Sequence, residues 1–215
     1  MALGTFVGAV DTSPQLLAVT LAFMAACPRA CAAARAEQDA VVAARGAGYG
    51  SAALDDMPYL EACVREAMRL LPPSQGGFRK LGRALAVGGY TLPPGALCWY
   101  SNLTMHLTDA KCWDGDRAKP FPPHMDWMDN FEGAFRPERW LDEATRPTGV
   151  MVFGGGVHLC TGVRFAMLTI KMALAALLRR FEFEAEEPGA LRRADMFPII
   201  KLPPKGEGLR LRPRA

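Results

Sequence analysis

FGGGVHLCTG, residues Phe153–Gly162, sets one cysteine, Cys160, among glycines and behind a phenylalanine and a histidine. Glycine has no Cβ and takes positive φ readily, so such a run turns tightly or lies close against something large and flat. The segment directly after it, VRFAMLTIKMALAALLRRF (163–181), reads as a helix that is apolar almost all round, the pattern of a helix buried on every side in a large protein. A thiol just ahead of a helix N-terminus has its thiolate favoured by the dipole and by free backbone amides. On these residues alone, Cys160 is a nucleophile, a metal ligand, or a buried cysteine beside a glycine turn.

Working back toward the N-terminus, a helix is expected from about residue 3 to 26. It should be opened or kinked at Pro14, which lacks an amide donor and crowds the carbonyl of Val10. Pro28 ends it, and a helix rich in Ala, Arg and Glu follows over roughly 29–45. PYLEACVREAMRLL (58–71) is a third helix, with Leu60, Val64, Met68 and Leu71 on one stripe and Glu66 and Arg69 three apart on a shared face. Alternation from Phe78 to Leu107 predicts short strands around a Pro-Pro-Gly turn. Residues 111–149 have no clear period and read as a long ordered meander or an insertion, and 181–215 as short strands and turns. The expected class is mainly α with a small β component.

Composition narrows the function. Half of the 215 residues are hydrophobic and the net charge is only +3, so the chain is globular and carries no basic block of the kind that grips nucleic acid. Its six cysteines are scattered without paired spacing, which fits a reduced, intracellular setting rather than a disulfide-stapled secreted domain. The apolar N-terminus lacks a basic leader and carries Asp11 and Pro14, so it reads as a core helix rather than a signal peptide or membrane span. Zinc is poorly served, because His106, Cys112, His124, His158 and Cys160 show no paired ligand spacing.

The arrangement F-x-x-G-x-H-x-C-x-G, filled by Phe153, Gly156, His158, Cys160 and Gly162, resembles the haem-thiolate signature of the cytochrome P450 superfamily. Three further elements stand in that family's order. GAVDTS (8–13) is similar to the oxygen-activating turn of its long central helix, EAMR (66–69) to its E-x-x-R pair, and PERW (137–140) supplies Arg139 to a Glu-Arg-Arg network. The stretch PPSQGGFRK (72–80) looks closest to the branch holding retinoic-acid hydroxylases, with sterol 14-demethylases nearby.

The resemblance implies roles for these residues. Cys160 would ligate the iron of haem b, a thiolate that pushes electron density toward O–O cleavage. Phe153, Gly156, His158 and Gly162 would shape the cofactor loop, and Arg79 and His158 would meet haem propionates. Asp11 and Thr12 would handle protons, Glu66, Arg69 and Arg139 would form a structural network, and Phe6, Val7, Gly77, Phe78 and the 196–200 segment would line the substrate side. The implied reaction inserts one oxygen atom from O2 into an apolar, isoprenoid, retinoid or sterol-like substrate. Electrons would come from NADPH through a reductase or a ferredoxin.

By the same resemblance the protein is intracellular, at the endoplasmic reticulum membrane or in a plastid, and touches the membrane only through a part preceding this chain. The motifs start inside the central helix, so residues 1–215 correspond to the C-terminal half of the catalytic domain. Two departures stand out, Pro14 after the Thr/Ser pair and the extra length at 111–126. A second reading is therefore a truncated, non-catalytic fragment unable to hold haem stably. Its exposed apolar helices would make it poorly soluble or dependent on a partner fragment.

Overall fold

The computed structural model describes residues 2–48, 50–109, 111, 131–186 and 208–214, with the side chains of 2–7, 107, 131 and 132 outside that description. Six helices, α1 (Ala2–Ala26), α2 (Pro28–Arg45), α3 (Pro58–Leu70), α4 (Asn102–Leu107), α5 (Phe131–Ala134) and α6 (Val163–Arg180), are described, with short 3-10 turns at Ser51–Asp56, Pro137–Trp140 and Gly156–His158. Between them lie three antiparallel strand pairs: β1 (Gly76–Lys80) with β4 (Leu97–Ser101), β2 (Leu85–Val87) with β3 (Tyr90–Leu92), and β5 (Phe181–Ala185) with β6 (Leu209–Pro213). This is the mainly α architecture with small sheets expected from the sequence.

The core forms where α1, α2, α3 and α6 meet. Leu60, Val64, Met68 and Leu71, the stripe expected on α3, are each at most 3% exposed. Burying side chains of this size stabilises by roughly 1.5–3 kcal/mol each. They pack with Phe23 and Met24 of α1 and Leu174 and Leu178 of α6, and Phe23 stacks on Phe135 at 5.2 Å. Although Gly8–Ala26 is long and apolar enough to cross a membrane by length and composition, Leu16, Val19, Leu21, Phe23 and Met24 are buried in this core. From Leu16 onward, α1 packs as a core helix, whereas 8–15 are exposed or half-buried.

Capping fixes how the helices enter. Cys27 separates α1 from α2, and Pro28 opens α2, where its missing N–H costs nothing. The N-terminus of α3 is capped from a distance: both carboxylate oxygens of Glu37, on α2, accept the backbone N–H groups of Tyr59 and Leu60 at 2.8 Å. An anion suits those free amides and the positive end of the helix.

Three expectations are corrected. Helix α1 continues through Pro14, which lies exposed inside its 25-residue span, so the proline does not interrupt it. Residues 102–107 are helical rather than a strand; the Ser101 hydroxyl accepts the Thr104 amide at 3.2 Å and starts α4. Helix α6 is not buried on every side: Phe165, Leu168 and Met172, three to four residues apart on one face, are 64%, 39% and 49% exposed. The 196–200 segment, Cys112 and His124, and most of the extra length at 111–126 lie outside the described residues.

Candidate functional site

Among the described residues, Glu66 on α3 gathers a dense set of hydrogen bonds. It sits on the core-facing side of α3 with no solvent exposure, and its two oxygens accept five hydrogen bonds. Arg69 donates through Nε (2.9 Å) and Nη2 (2.7 Å), Arg139 through Nε (3.0 Å), Trp140 through Nε1 (2.9 Å), and Arg136 through its backbone N–H (3.1 Å). Desolvation opposes the charge, but the neighbouring guanidinium of Arg69, then that of Arg139 and the Trp140 bond, hold the Glu66 carboxyl below its usual range. Arg69 also donates to the Ala134 carbonyl, at 3.3 Å. The three residues expected to form a network therefore do so, and they tie α3 to the segment Ala134–Trp140.

That segment is held from outside as well. Glu138 accepts from the Tyr59 hydroxyl at 2.8 Å and pairs with Arg29, so the 3-10 turn carrying Arg139 is fastened to both α2 and α3. Burial and the bond to Glu138 push the Tyr59 hydroxyl far above its ordinary pKa, which keeps it a donor.

The Cys160 loop runs from the meander to α6. Its N–H of Cys160 donates to the carbonyl of Phe153 at 2.7 Å, closing the glycine run into a compact bend. Gly154 has φ +73°, and a Cβ there would stand 2.7 Å from the carbonyl oxygen of His158, so only glycine permits the turn. Gly156 also has positive φ, +57°, but opens on free space. Phe153 is half-buried against the core. Cys160 is a free, exposed thiol beside Gly162, the residue that precedes the first turn of α6. Along the chain on either side of it, Val157, Leu159 and Phe165 are 96%, 55% and 64% exposed.

The other predicted residues are placed as follows. On α1, Asp11 is exposed and Thr12 half-buried, and the Thr12 hydroxyl donates to the Gly8 carbonyl one turn back at 2.6 Å. Space beside Gly8 is open, with nothing within 4 Å of where a Cβ would stand. Helix α1 packs directly on α6. In β1, Gly77 lies opposite Tyr100, Phe78 packs edge-on against Trp99 at 4.6 Å, and Arg79 lies over the Tyr100 ring at 4.9 Å. Gly76 must be glycine, since a Cβ there would fall 1.8 Å from the Tyr100 carbonyl oxygen. Among the described residues Arg79 and His158 have no carboxylate partner. Phe6 and Val7 belong to α1, with side chains outside the description.

Some residues of the site escaped the sequence reading. Trp140 and the Arg136 amide join the Glu66 network, and His106 and Asp109 are buried beside it at 0% and 7% exposure. A polar pair three apart in the apolar run LTMHLTD was the available signal. Among the described residues, no group of three or more His, Cys, Asp or Glu could hold a metal ion.

Comparison with known proteins adds the following. A family model described as Cytochrome P450 matches residues 1–125 and 133–210. The human mitochondrial 25-hydroxyvitamin D-1 alpha hydroxylase is 33% identical over 84% of this chain and 33% of its own length. The mouse mitochondrial 1,25-dihydroxyvitamin D(3) 24-hydroxylase (32%) and the bovine lanosterol 14-alpha demethylase (30%) each match 61% of the chain and 23% of their own length. A crystal structure of a cytochrome P450, CYP102L1, superposes with a TM-score of 0.79 at 29% identity, covering 99% of this chain and 44% of that one. The chain thus spans about a quarter to a third of the curated relatives named here.

Proposed function

Since the chain belongs to the cytochrome P450 family, we propose that it carries the proximal, iron-binding part of a haem-thiolate monooxygenase acting on an apolar substrate. The observation that carries this reading is the exposed Cys160 thiol at the foot of α6, framed by a bend that only glycine can make. The donor set fits an iron porphyrin. The exposed Cys160 supplies a soft sulfur, exposed apolar Val157, Leu159 and Phe165 stand within five positions of it in the chain, and among the described residues Arg79 and His158 have no carboxylate partner and so are free to meet propionates.

When bound, haem supplies the activation of O2 through thiolate ligation. The chain's own residues would do the rest. Cys160 would hold the iron, the Gly154 bend and the Phe153 carbonyl would fix where its sulfur stands, and Arg79 and His158 would bind the propionates. On α1 the exposed Asp11 carboxylate would take up protons from solvent, and the Thr12 hydroxyl, turned from the Gly8 carbonyl, would donate a hydrogen bond into the open space beside Gly8. The open space beside Gly8 leaves room for a small molecule. Gly77, Phe78, Phe6 and Val7 would line the substrate side.

The relatives named for vitamin D and lanosterol chemistry point to a sterol-like or other isoprenoid substrate, and the mitochondrial names favour electrons from NADPH by way of a ferredoxin over direct reduction by a membrane reductase. An intracellular compartment accords with both. Equilibrium titration of the chain with haem tests the cofactor assignment. Arg79→Ala, removing a charge-assisted bond, should raise Kd by about tenfold or more. Unchanged affinity in both Arg79→Ala and Cys160→Ala would overturn it.

A further inference from the structure

His106 and Asp109 lie near the C-terminal end of α4, where the chain turns toward the meander, and neither has a place in the mechanism above. His106 is fully buried. Its Nδ1 stands 3.2 Å from the carbonyl oxygen of Arg69, the last-turn residue of α3, and its Nε2 stands 3.1 Å from the backbone nitrogen of Met151. A carbonyl only accepts and an amide N–H only donates, so the two partners dictate one tautomer: the proton on Nδ1, a lone pair on Nε2. The ring is then a neutral strut from the end of the E-x-x-R helix to the start of the Cys160 loop.

Asp109 makes a second tether on the same entry strand. Its Oδ2 accepts the Thr148 amide at 2.7 Å, the Gly149 amide at 2.5 Å and the Thr148 hydroxyl at 3.4 Å, while Oδ1 accepts the Lys111 amide at 2.9 Å. A side chain at Gly149 would press on that carboxylate, with Oδ2 at 3.1 Å from its Cβ. Past the tethers, Met151 is gripped on its other side by the Gly154 amide at 2.9 Å, and the bend closes through Cys160 and Phe153. Between Thr148 and Gly162 only a single 3-10 turn, Gly156–His158, is regular structure. Among the described residues, His106 and Asp109 are the acceptors from the core for the amides of 148, 149 and 151.

We propose that His106 and Asp109 are positioning residues for the thiolate loop, setting the stance of Cys160 by holding the Thr148, Gly149 and Met151 amides to the α3–α4 corner. Both are kept in the form that accepts protons: burial drives the His106 pKa down to about 4, and bonds to backbone amides hold the Asp109 carboxyl low. The groups facing His106 are the Arg69 guanidinium and the Asp109 carboxylate, which act on it in opposite senses. The consequence for haem rests on the reading of Cys160 given above; the anchoring does not.

The test is backbone hydrogen exchange on the full chain, compared among the wild type, His106→Gln, His106→Asn and His106→Leu. Glutamine sets an acceptor where Nε2 stands; asparagine reaches only the Nδ1 position and leaves the Met151 amide bare. Protection of the Met151 amide should fall by about tenfold in the Asn and Leu variants and return toward wild type in Gln, with the amides of α2 as internal reference. If Leu does not fold, the Asn and Gln pair decides. Equal protection of Met151 in Gln and Asn overturns the proposal. In the haem-loaded chain the thiolate-type spectrum should follow the same order. Exchange in the expected order with no such spectrum in any variant, wild type included, upholds the anchoring and defeats the haem assignment instead.

Discussion

Replacing Glu66 by glutamine keeps the shape of the side chain and removes its charge. The Glu66 and Arg69 side chains have no solvent exposure and that of Arg139 is 5% exposed. Loss of the carboxylate therefore leaves two guanidinium groups buried around a neutral amide, and one of the two former acceptor positions becomes an NH2. If that group replaces Oε2, it meets the Nε donor of Arg69 and the Nε1 donor of Trp140 head-on. Breaking a buried pair in this way costs about 3–5 kcal/mol. With a urea dependence of about 2 kcal/mol per molar, the unfolding midpoint should drop by about 1.5–2.5 M.

Glu61, on the same helix, is the control. It accepts from Arg65 at 2.7 and 2.9 Å and from Lys171 at 2.9 Å, yet its side chain remains 33% exposed. Water reaches Glu61 and Arg65, and of its partners only the Lys171 ammonium, 8% exposed, is left buried, so Glu61→Gln should cost less than Glu66→Gln, about 1–2 kcal/mol. Urea melts followed by far-ultraviolet circular dichroism compare the two. Equal shifts for both variants, or a Glu66→Gln midpoint within about 0.5 M of wild type, would refute the view that this network fastens the meander to the core.

Three further outcomes are expected. His106 is held neutral when folded, with its pKa lowered to about 4 from 6.5. The unfolded chain therefore binds more protons in this window, and stability from this residue is complete above about pH 6.5 and lost as pH falls toward 4, by about 3 kcal/mol in all. Subtracting the His106→Gln stability profile isolates that slope from Glu37, whose raised pKa acts in the opposite sense; a flat difference between pH 4 and 6.5 would contradict it. Gly154→Ala should lower the melting temperature more than Gly156→Ala, because both force an L-residue to positive φ but only the former drives Cβ into a carbonyl oxygen; equal shifts would count against the bend. Replacing exposed Phe165 and Met172 by Glu and Lys should make the chain more monodisperse in size-exclusion chromatography, and no change would show that this face does not drive association.

The parts of the fold that sequence makes legible are those set by period or by close spacing. The α3 stripe, the Glu66–Arg69 pair and the glycine bend before α6 depend on residues within a few positions of one another. Arg139 was legible only through family resemblance, since its contact with Glu66 spans 73 positions. Helix α4 was missed because SNLTMHL alternates like a strand, while its helical start shows in the Ser101 hydroxyl that caps it and its packing in the burial of Asn102 and His106. The roles of Trp140, His106 and Asp109 come from partners that no local pattern announces.

The assignment of Cys160 as an iron ligand is tested most directly by the absorption spectrum of the reduced carbon monoxide complex of the haem-loaded chain, recorded beside Cys160→Ser. The wild type should show the strongly red-shifted Soret band that thiolate ligation produces, and the serine variant should lack it. Identical spectra without that band, in a chain that has taken up haem, would contradict the account.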